Sequence, residues 1–373
     1  LGTANDPLNG TLTSGFSGQT YKGPLNTSLR WETTDQFNVG LDFGFWKNRL
    51  NFSANYYYKK TKDLLQNVSI PLSTGYSTMW TNFGHVTNKG FEFTANVVAI
   101  DKKDWGLNFD GNISFNQNRI GGLNADQYAT QLWYGANEVF LQRNGLPIGT
   151  IYGYVEDGFY DNIAEVRADP IYSKVSNEEA QRMIGEIKYV DRNGDNQITT
   201  EDRAVIGDTN PDFIYGLNAN FRWKKLSLGL FFQGSQGNDI FNGNLTMIGM
   251  NSIGNVTREA YESRWTPENA ANAKWPRITT AMTRDMKLSD RYVEDGSYFR
   301  LKTINLNYNF GSVCKGITDL SVFGTITNVF TLTNYSWFDP DVNAFGSDAS
   351  RRGVDIFSYP NSRTYTIGFK LTL

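Results

Sequence analysis

One histidine, His85, and one cysteine, Cys314, stand in a chain of 373 residues. A lone cysteine forms no intrachain disulfide and gives no zinc or redox pattern. A lone histidine excludes His-rich metal centres, and a packing or surface role fits His85 better than that of a triad base. Charge of one sign is also lacking. The 35 Lys and Arg against 38 Asp and Glu leave a net charge of -3, so no electrostatic footprint for nucleic acid is present. Hydrophobic residues make up 39%, low for a soluble enzyme of this size. No run approaches the ~20 apolar residues of a transmembrane helix. That absence does not bear on membrane-crossing strands, which show lipid only every second residue. There is no initiator methionine and no signal peptide before Leu1, which reads as a mature product or a fragment.

What is abundant is arranged with period two. Phe37, Val39, Leu41, Phe43 and Phe45 alternate with Asn38, Gly40, Asp42 and Gly44. The pattern returns at Leu107 to Asn116, Phe213 to Arg222, Thr303 to Phe310 and Thr364 to Leu373. Strict alternation means strands with one apolar and one polar face. Nine strands are expected, at 37–45, 50–59, 90–99, 105–116, 212–223, 226–235, 298–310, 319–330 and 363–373. Several exceed the usual five or six residues and suit a tilted membrane-spanning strand. Their polar faces are built from Asn, Ser, Thr and Gly and suit a wet lumen. Aromatic residues gather near strand ends, at Trp31, Phe45-Trp46, Tyr56-Tyr57-Tyr58, Trp105, Trp223 and Phe231-Phe232, as in an interfacial girdle.

The connections alternate in length. Those at 46–49, 100–104, 224–225 and 311–318 are short, and those at 60–89, 117–211, 236–297 and 331–362 are long. Short periplasmic turns and long extracellular loops are the habit of outer-membrane barrels. Nine strands leave an open sheet, and a sheet in lipid must close. The remaining strands are therefore expected from other sequence.

One motif points to a metal. Residues 191–202 carry oxygen side chains at loop positions 1, 3 and 5 (Asp191, Asn193, Asp195), a backbone carbonyl at 7 (Gln197) and a carboxylate at 12 (Asp202). This is the spacing of an EF-hand-type Ca2+ loop. Asn196 replaces the usual Gly at position 6; Asn tolerates the left-handed conformation better than most residues. The alternative is an Asx-rich turn without metal. Other candidates are weaker. Gly234-Ser235-Gln236-Gly237 lacks a phosphate-binding spacing. Asp157, Asp161 and Glu165 read as solvated acids. Trp133-Tyr134 and Trp337-Phe338 suit either ring stacking on sugars or loop packing. No catalytic constellation stands out, and no enzyme is expected.

Several blocks resemble SusC/RagA-type TonB-dependent transporters. They are Trp31 to Asp42, Tyr56 to Leu65, Asn88 to Glu92, Gly185 to Gly207 with Asn210 to Phe213, Val293 to Lys302, Asn328 to Asp341, and Tyr359-Pro360 with the last strand. They span nearly the whole chain in family order. The resemblance implies an all-β fold, the C-terminal part of a transmembrane antiparallel β-barrel, with about nine of 22 strands and the plug domain outside this chain. It further implies an outer membrane of the Bacteroidetes type, a SusD-like surface lipoprotein as partner, and coupling to TonB through a missing N-terminal region. The expected cargo is an oligosaccharide in preference to a peptide. The competing readings are a passive porin or adhesin barrel and a soluble β-rich glycan-binding module.

Overall fold

The computed structural model describes residues 24, 26–76, 78–129, 139–248, 255–279 and 287–373. Its frame is a nine-stranded antiparallel sheet in which neighbours in space are neighbours in sequence. The strands are β1 (Thr33–Phe45), β2 (Leu50–Lys62), β3 (His85–Asp101), β4 (Trp105–Gly121), β5 (Phe213–Trp223), β6 (Leu226–Gln236), β7 (Tyr298–Gly311), β8 (Asp319–Thr333) and β9 (Thr364–Thr372). All nine expected strands form. Several run longer than the alternation alone suggested, β3 starting at His85 and β4 continuing to Gly121. Polar, mixed residues at those ends hide the period of two.

Register carries each face intact across the sheet. One rank runs Phe43, Phe52, Ala95, Gly111, Leu217, Phe232, Leu301, Phe330. The rank beside it runs Asp42, Ser53, Thr94, Asn112, Gly216, Gln233, Arg300, Thr331. A one-residue slip at any pair would exchange the two faces. Bulges at Val98/Ile100 in β3 and at Leu301/Thr303 between β7 and β8 absorb odd residues without breaking the ranks.

The apolar face is bare. Phe37, Phe43, Ile367 and Phe369 are all exposed, Ile367 by 87%. Among the described residues, the buried apolar side chains of the long strands are Val86, Ile120 and Leu301, each at the end next to a long connection. Among the described residues, no protein core lies over the apolar face of the sheet, the reverse of a soluble sandwich.

Two aromatic rows border that face. At the short-turn end, Trp105 packs on Phe221 and Trp223 with centroids 5.3 and 5.9 Å apart, and Tyr308 on Phe310 at 4.7 Å. At the other end, contacts link Tyr56, Phe91, Phe93, Phe115 and Phe213, and Tyr215, Phe299, Phe232 and Phe330 continue the row. Trp105 and Phe115 belong to opposite rows of β4. Ten residues at ~3.3 Å each, tilted by about 40°, separate the rows by ~25 Å, the height of a barrel's apolar band. One expectation is corrected here. Phe232 and Tyr56 belong to a row, but Phe231 and Tyr57 do not, Tyr57 pairing with Gly90 and donating to Asn116 on the polar side. Adjacent residues of a strand point to opposite faces, and Phe231 pairs with Asn218 and Thr303 on the polar side.

Short turns lie at one end of the sheet and long connections at the other. Trp46, Lys47 and Asn48 all take positive φ to reverse the chain between β1 and β2. The long connections fold on one another. Phe140–Gln142, Thr150–Gly153 and Ala204–Asp208 join Gln127–Ala129 in a four-stranded sheet. Asp239–Asn242 pairs antiparallel with Val293–Asp295 and parallel with Val354–Asp355, tying the last two long connections together. Val139, Phe140, Ile151, Phe241, Tyr292 and Val354, drawn from three connections, form a shared core. Each large side chain buried there contributes roughly 2 kcal/mol of transfer free energy.

Candidate functional site

Two surfaces carry polar chemistry: the polar face of the sheet and the cap of folded connections. On the sheet, side chains bond across strands. Asn96 donates to Asp110 at 2.9 Å, Asn305 to Thr325 at 2.9 Å, and Ser53 to Asp42. The Tyr57 hydroxyl donates to Asn116 at 2.8 Å. A hollow on this face is lined by Glu92, Thr94, Asn112, Ile214, Phe231 and Gln233. Its amides and hydroxyls, with the carboxylates of Glu92 and Asp110 and the apolar Ile214 and Phe231 beside them, offer acceptors and donors to a polyhydroxylated or amide-rich solute and disfavour an anion.

The cap is locked by buried polar groups. Arg300 of β7, 1% exposed, donates to Thr331 at 2.9 Å and to Asp339 at 2.5 Å, with Asp341 at 3.8 Å. Its guanidinium lies over the Tyr298 ring, 5.0 Å from the centroid. Glu156 accepts from Ser289 and from Arg291, whose guanidinium faces the Phe159 and Trp275 rings at 5.5 and 5.4 Å. Tyr335 donates to buried Asp355 at 2.7 Å; burial and that carboxylate together push the phenol far above its usual range. Asn242 and Ser336 both donate to Glu294. The Arg300–Asp339 bond ties a connection to the sheet, and the Glu156 and Ser336–Glu294 bonds join separate connections, while Tyr335–Asp355 and Asn242–Glu294 each brace a single connection; together they set the shape of the cap. None was singled out from sequence. Arg300 and Asp339 do lie in two of the blocks that carry the family resemblance, and the fold bonds those blocks to each other.

The metal-loop residues fall on one tight turn. Asp191 accepts from the amides of Gly194 at 2.7 Å and Asn196 at 2.8 Å. Asn193 and Asp195 accept from the amides two residues on, at 2.9 and 2.8 Å. The Gln197 amide is the second of these donors. Asn196 takes φ of 63°, the left-handed turn that position 6 requires. Asp202 faces back and accepts from Arg192, Asn193 and Thr199. Burial alone would raise its carboxyl, but those amides hold it below the ordinary value. Among the described residues, no three His, Cys, Asp or Glu side chains converge as a metal cage.

The remaining candidates resolve into structure. Asp157 pairs with Lys188 at 2.9 Å, Asp161 accepts from Trp265 at 2.7 Å, and Glu165 accepts from the Asp161 amide at 2.8 Å. Gly237 donates to Ser297 at 3.0 Å where β6 leaves the sheet. Trp337 and Phe338 stack edge-on at 5.2 Å with Phe338 exposed. Trp133 and Tyr134 lie outside the described residues. Cys314 is exposed in the turn between β7 and β8.

Residues 2–329 match the family model described as "TonB dependent receptor-like, beta-barrel". The chain is 33% identical over 99% of its length to TonB-dependent receptor P26 of Formosa agariphila. It is 27% identical over 93% of its length to TonB-dependent receptor SusC of Bacteroides thetaiotaomicron. It spans just over a third of the first relative, 37%, and 32% of the second. Its fold superposes on the RagAB peptide transporter with a TM-score of 0.75 at 22% identity, covering 97% of this chain and 38% of that one.

Proposed function

Since the chain belongs to the TonB-dependent receptor-like β-barrel family of the outer membrane, we propose that it supplies wall and loop cap to an energy-coupled importer of nutrient oligomers. The observation that carries this reading is the two-faced sheet. Its bare apolar band, edged by aromatic rows, faces lipid, and its hydrogen-bonded polar face lines the lumen. The long connections then lie outside the cell. Their rigid cap is the surface on which a SusD-like lipoprotein docks and against which cargo is held. TonB acts through sequence beyond this third of the protein.

Oligosaccharide is the preferred cargo. The lumen hollow offers Thr94, Asn112 and Gln233, with Ile214 and Phe231 to cover the apolar face of a sugar ring. The peptide reading draws on the RagAB likeness, which at 22% identity speaks to fold alone. The test measures uptake of labelled neutral oligosaccharides and of peptides by cells with and without the gene, before and after TonB depletion. Gene-dependent and TonB-dependent oligosaccharide uptake is expected. Uptake that survives TonB depletion points to a passive porin and overturns the proposal.

A Ca2+ ion at Asp191, Asn193, Asp195, Asp202 and the Gln197 carbonyl would brace the cap. The supporting observations are the left-handed Asn196 and side-chain oxygens ordered by loop amides, each keeping a further lone pair.

A further inference from the structure

Beyond the aromatic row at the long-connection end, the outward face of β2, β3 and β4 turns basic. Tyr58, Lys89 and Gln117 stand in one rank, and Lys60, Thr87 and Arg119 in the next. Lys60 and Arg119 are two strands apart, ~10 Å by the interstrand spacing. Lys89 lies one step nearer the row, between them. All three side chains therefore reach a common point over the Thr87 hydroxyl. Lys62 stands one rank further out, opposite His85. Of the nearby carboxylates, Asp35 sits opposite Lys60 but closes its ion pair with Lys62, at 2.5 Å, and Asp208 and Asp212 line the hollow beside Lys89 and Arg119 without pairing with either. No ion pair engages Lys60, Lys89 or Arg119 among the described residues. Arg119 donates, among the described residues, only to the neighbouring Asn118 carbonyl, at 3.0 Å.

The patch is local. On β8 the outward residue past Phe330 is Leu332, exposed by 62%. It is also continuous with the lipid-facing surface. Tyr56 and Phe91 lie directly below it and pack at 5.0 Å. A ligand at this height has its apolar part in the bilayer and its head among the cations.

We propose that Lys60, Lys89 and Arg119 bind the phosphorylated headgroup of an outer-leaflet lipid, with Thr87 donating to the phosphate and the Tyr56–Phe91 pair lying against its acyl chains. Three cations and a hydroxyl match a phosphate's charge and its acceptor oxygens. The outer-leaflet assignment rests on the long connections facing outward, as in the functional reading above.

The particle is extracted from its own membrane in a neutral detergent, and retention of phosphatidic acid and of phosphatidylcholine is read by native mass spectrometry. Wild type is expected to retain phosphatidic acid in preference, and K60Q/K89Q/R119Q to lose that preference by roughly tenfold or more. Lys89→Gln alone, an exposed single change, is expected to weaken it in the same direction. K102Q/K103Q, at the short-turn end, is expected to leave it unchanged. Equal retention by wild type and both patch variants overturns the proposal. So does displacement of the lipid by millimolar inorganic phosphate alone, which would mark a site for the free anion. A separate arm labels Lys174→Cys in a Cys314→Ser background on intact cells. Labelling only after lysis overturns the outer-leaflet assignment and the orientation behind the functional reading, while the detergent result still reports on the headgroup site itself.

Discussion

Tyr57 of β2 and Asn116 of β4 meet over the backbone of Gly90, on the strand between them, through a hydrogen bond of 2.8 Å. A Cβ at Gly90 would stand 2.1 Å from the Phe115 carbonyl oxygen and 2.7 Å from the Tyr57 hydroxyl. The first neighbour is backbone and cannot swing aside. Gly90→Ala is expected to destabilise the barrel by ~1–3 kcal/mol through overpacking, and Tyr57→Phe by about 1 kcal/mol through the lost bond. Thermal unfolding of the extracted particle reads both. An unchanged midpoint in Gly90→Ala would show that the three strands are not packed this closely.

Arg300 is buried and its main partner is Asp339. Removing that partner leaves a buried charge with only the more distant Asp341, at 3.8 Å. Asp339→Ala is expected to cost on the order of 3 kcal/mol and to free the 334–363 connection. Limited proteolysis should cut that connection sooner in the variant. Replacing both residues, as in R300M/D339A, is expected to restore part of the protection. A variant as resistant as wild type would place the anchor elsewhere.

The Glu156–Arg291 pair joins the connection after β4 to the one after β6, with Arg291 between two aromatic rings. Glu156→Gln is expected to raise amide exchange in both connections together and to leave β1–β9 unaffected. Exchange confined to one connection would argue against coupling through this pair.

The cap should respond to acid with two signs. Asp202 has its carboxyl below the ordinary value of 3.8 because amide donors outweigh burial. Its stabilisation is complete above 3.8 and is lost as pH falls through the lowered value. Asp239 is raised by burial and by the charges of Asp208 and Asp295, against the Asp208 amide. Asp290 is raised by burial and by Glu156. Their contribution is complete below 3.8 and is lost as pH rises through their raised values. Loop-resolved exchange from pH 6 down to about 2.5 should show 191–202 loosening at the acid end, a change that Asp202→Asn abolishes. Persistence of that loosening in the variant would assign it to another acid.

Calcium at 191–202 should slow proteolysis of that turn in the extracted particle, and a chelator should reverse the effect. Asp191→Ala is expected to remove the response while leaving the barrel's unfolding midpoint unchanged. A turn indifferent to both calcium and chelator refutes the site.

The long strands were legible because lipid on one side and water on the other write a period of two into the residues, as in Phe37 to Phe45. Turn and loop parity followed from spacing alone. The cap was not legible. Its strands are two to five residues long, too short for a period to register. Its core depends on pairings such as Phe241 with Val354, between connections that look like unrelated polar stretches. Arg300 and Glu156 look like ordinary surface charges until the fold buries them. Phe231 and Tyr57 were misplaced because adjacent aromatics look like one girdle, whereas a strand sends neighbours to opposite faces. In the metal loop, the oxygen spacing and the left-handed Asn196 were both readable, since that geometry is local.

The two aromatic rows have a consequence for where this protein can reside. Fixed by register across the strands they border, they act as a gauge of membrane thickness that no side-chain rearrangement can reset. A bilayer with a hydrocarbon layer deeper than ~25 Å would have to thin around it, at a cost of fractions of a kcal/mol per Å, repeated over the sheet's whole width. The sheet is thereby matched to thin membranes, of which the bacterial outer membrane is one.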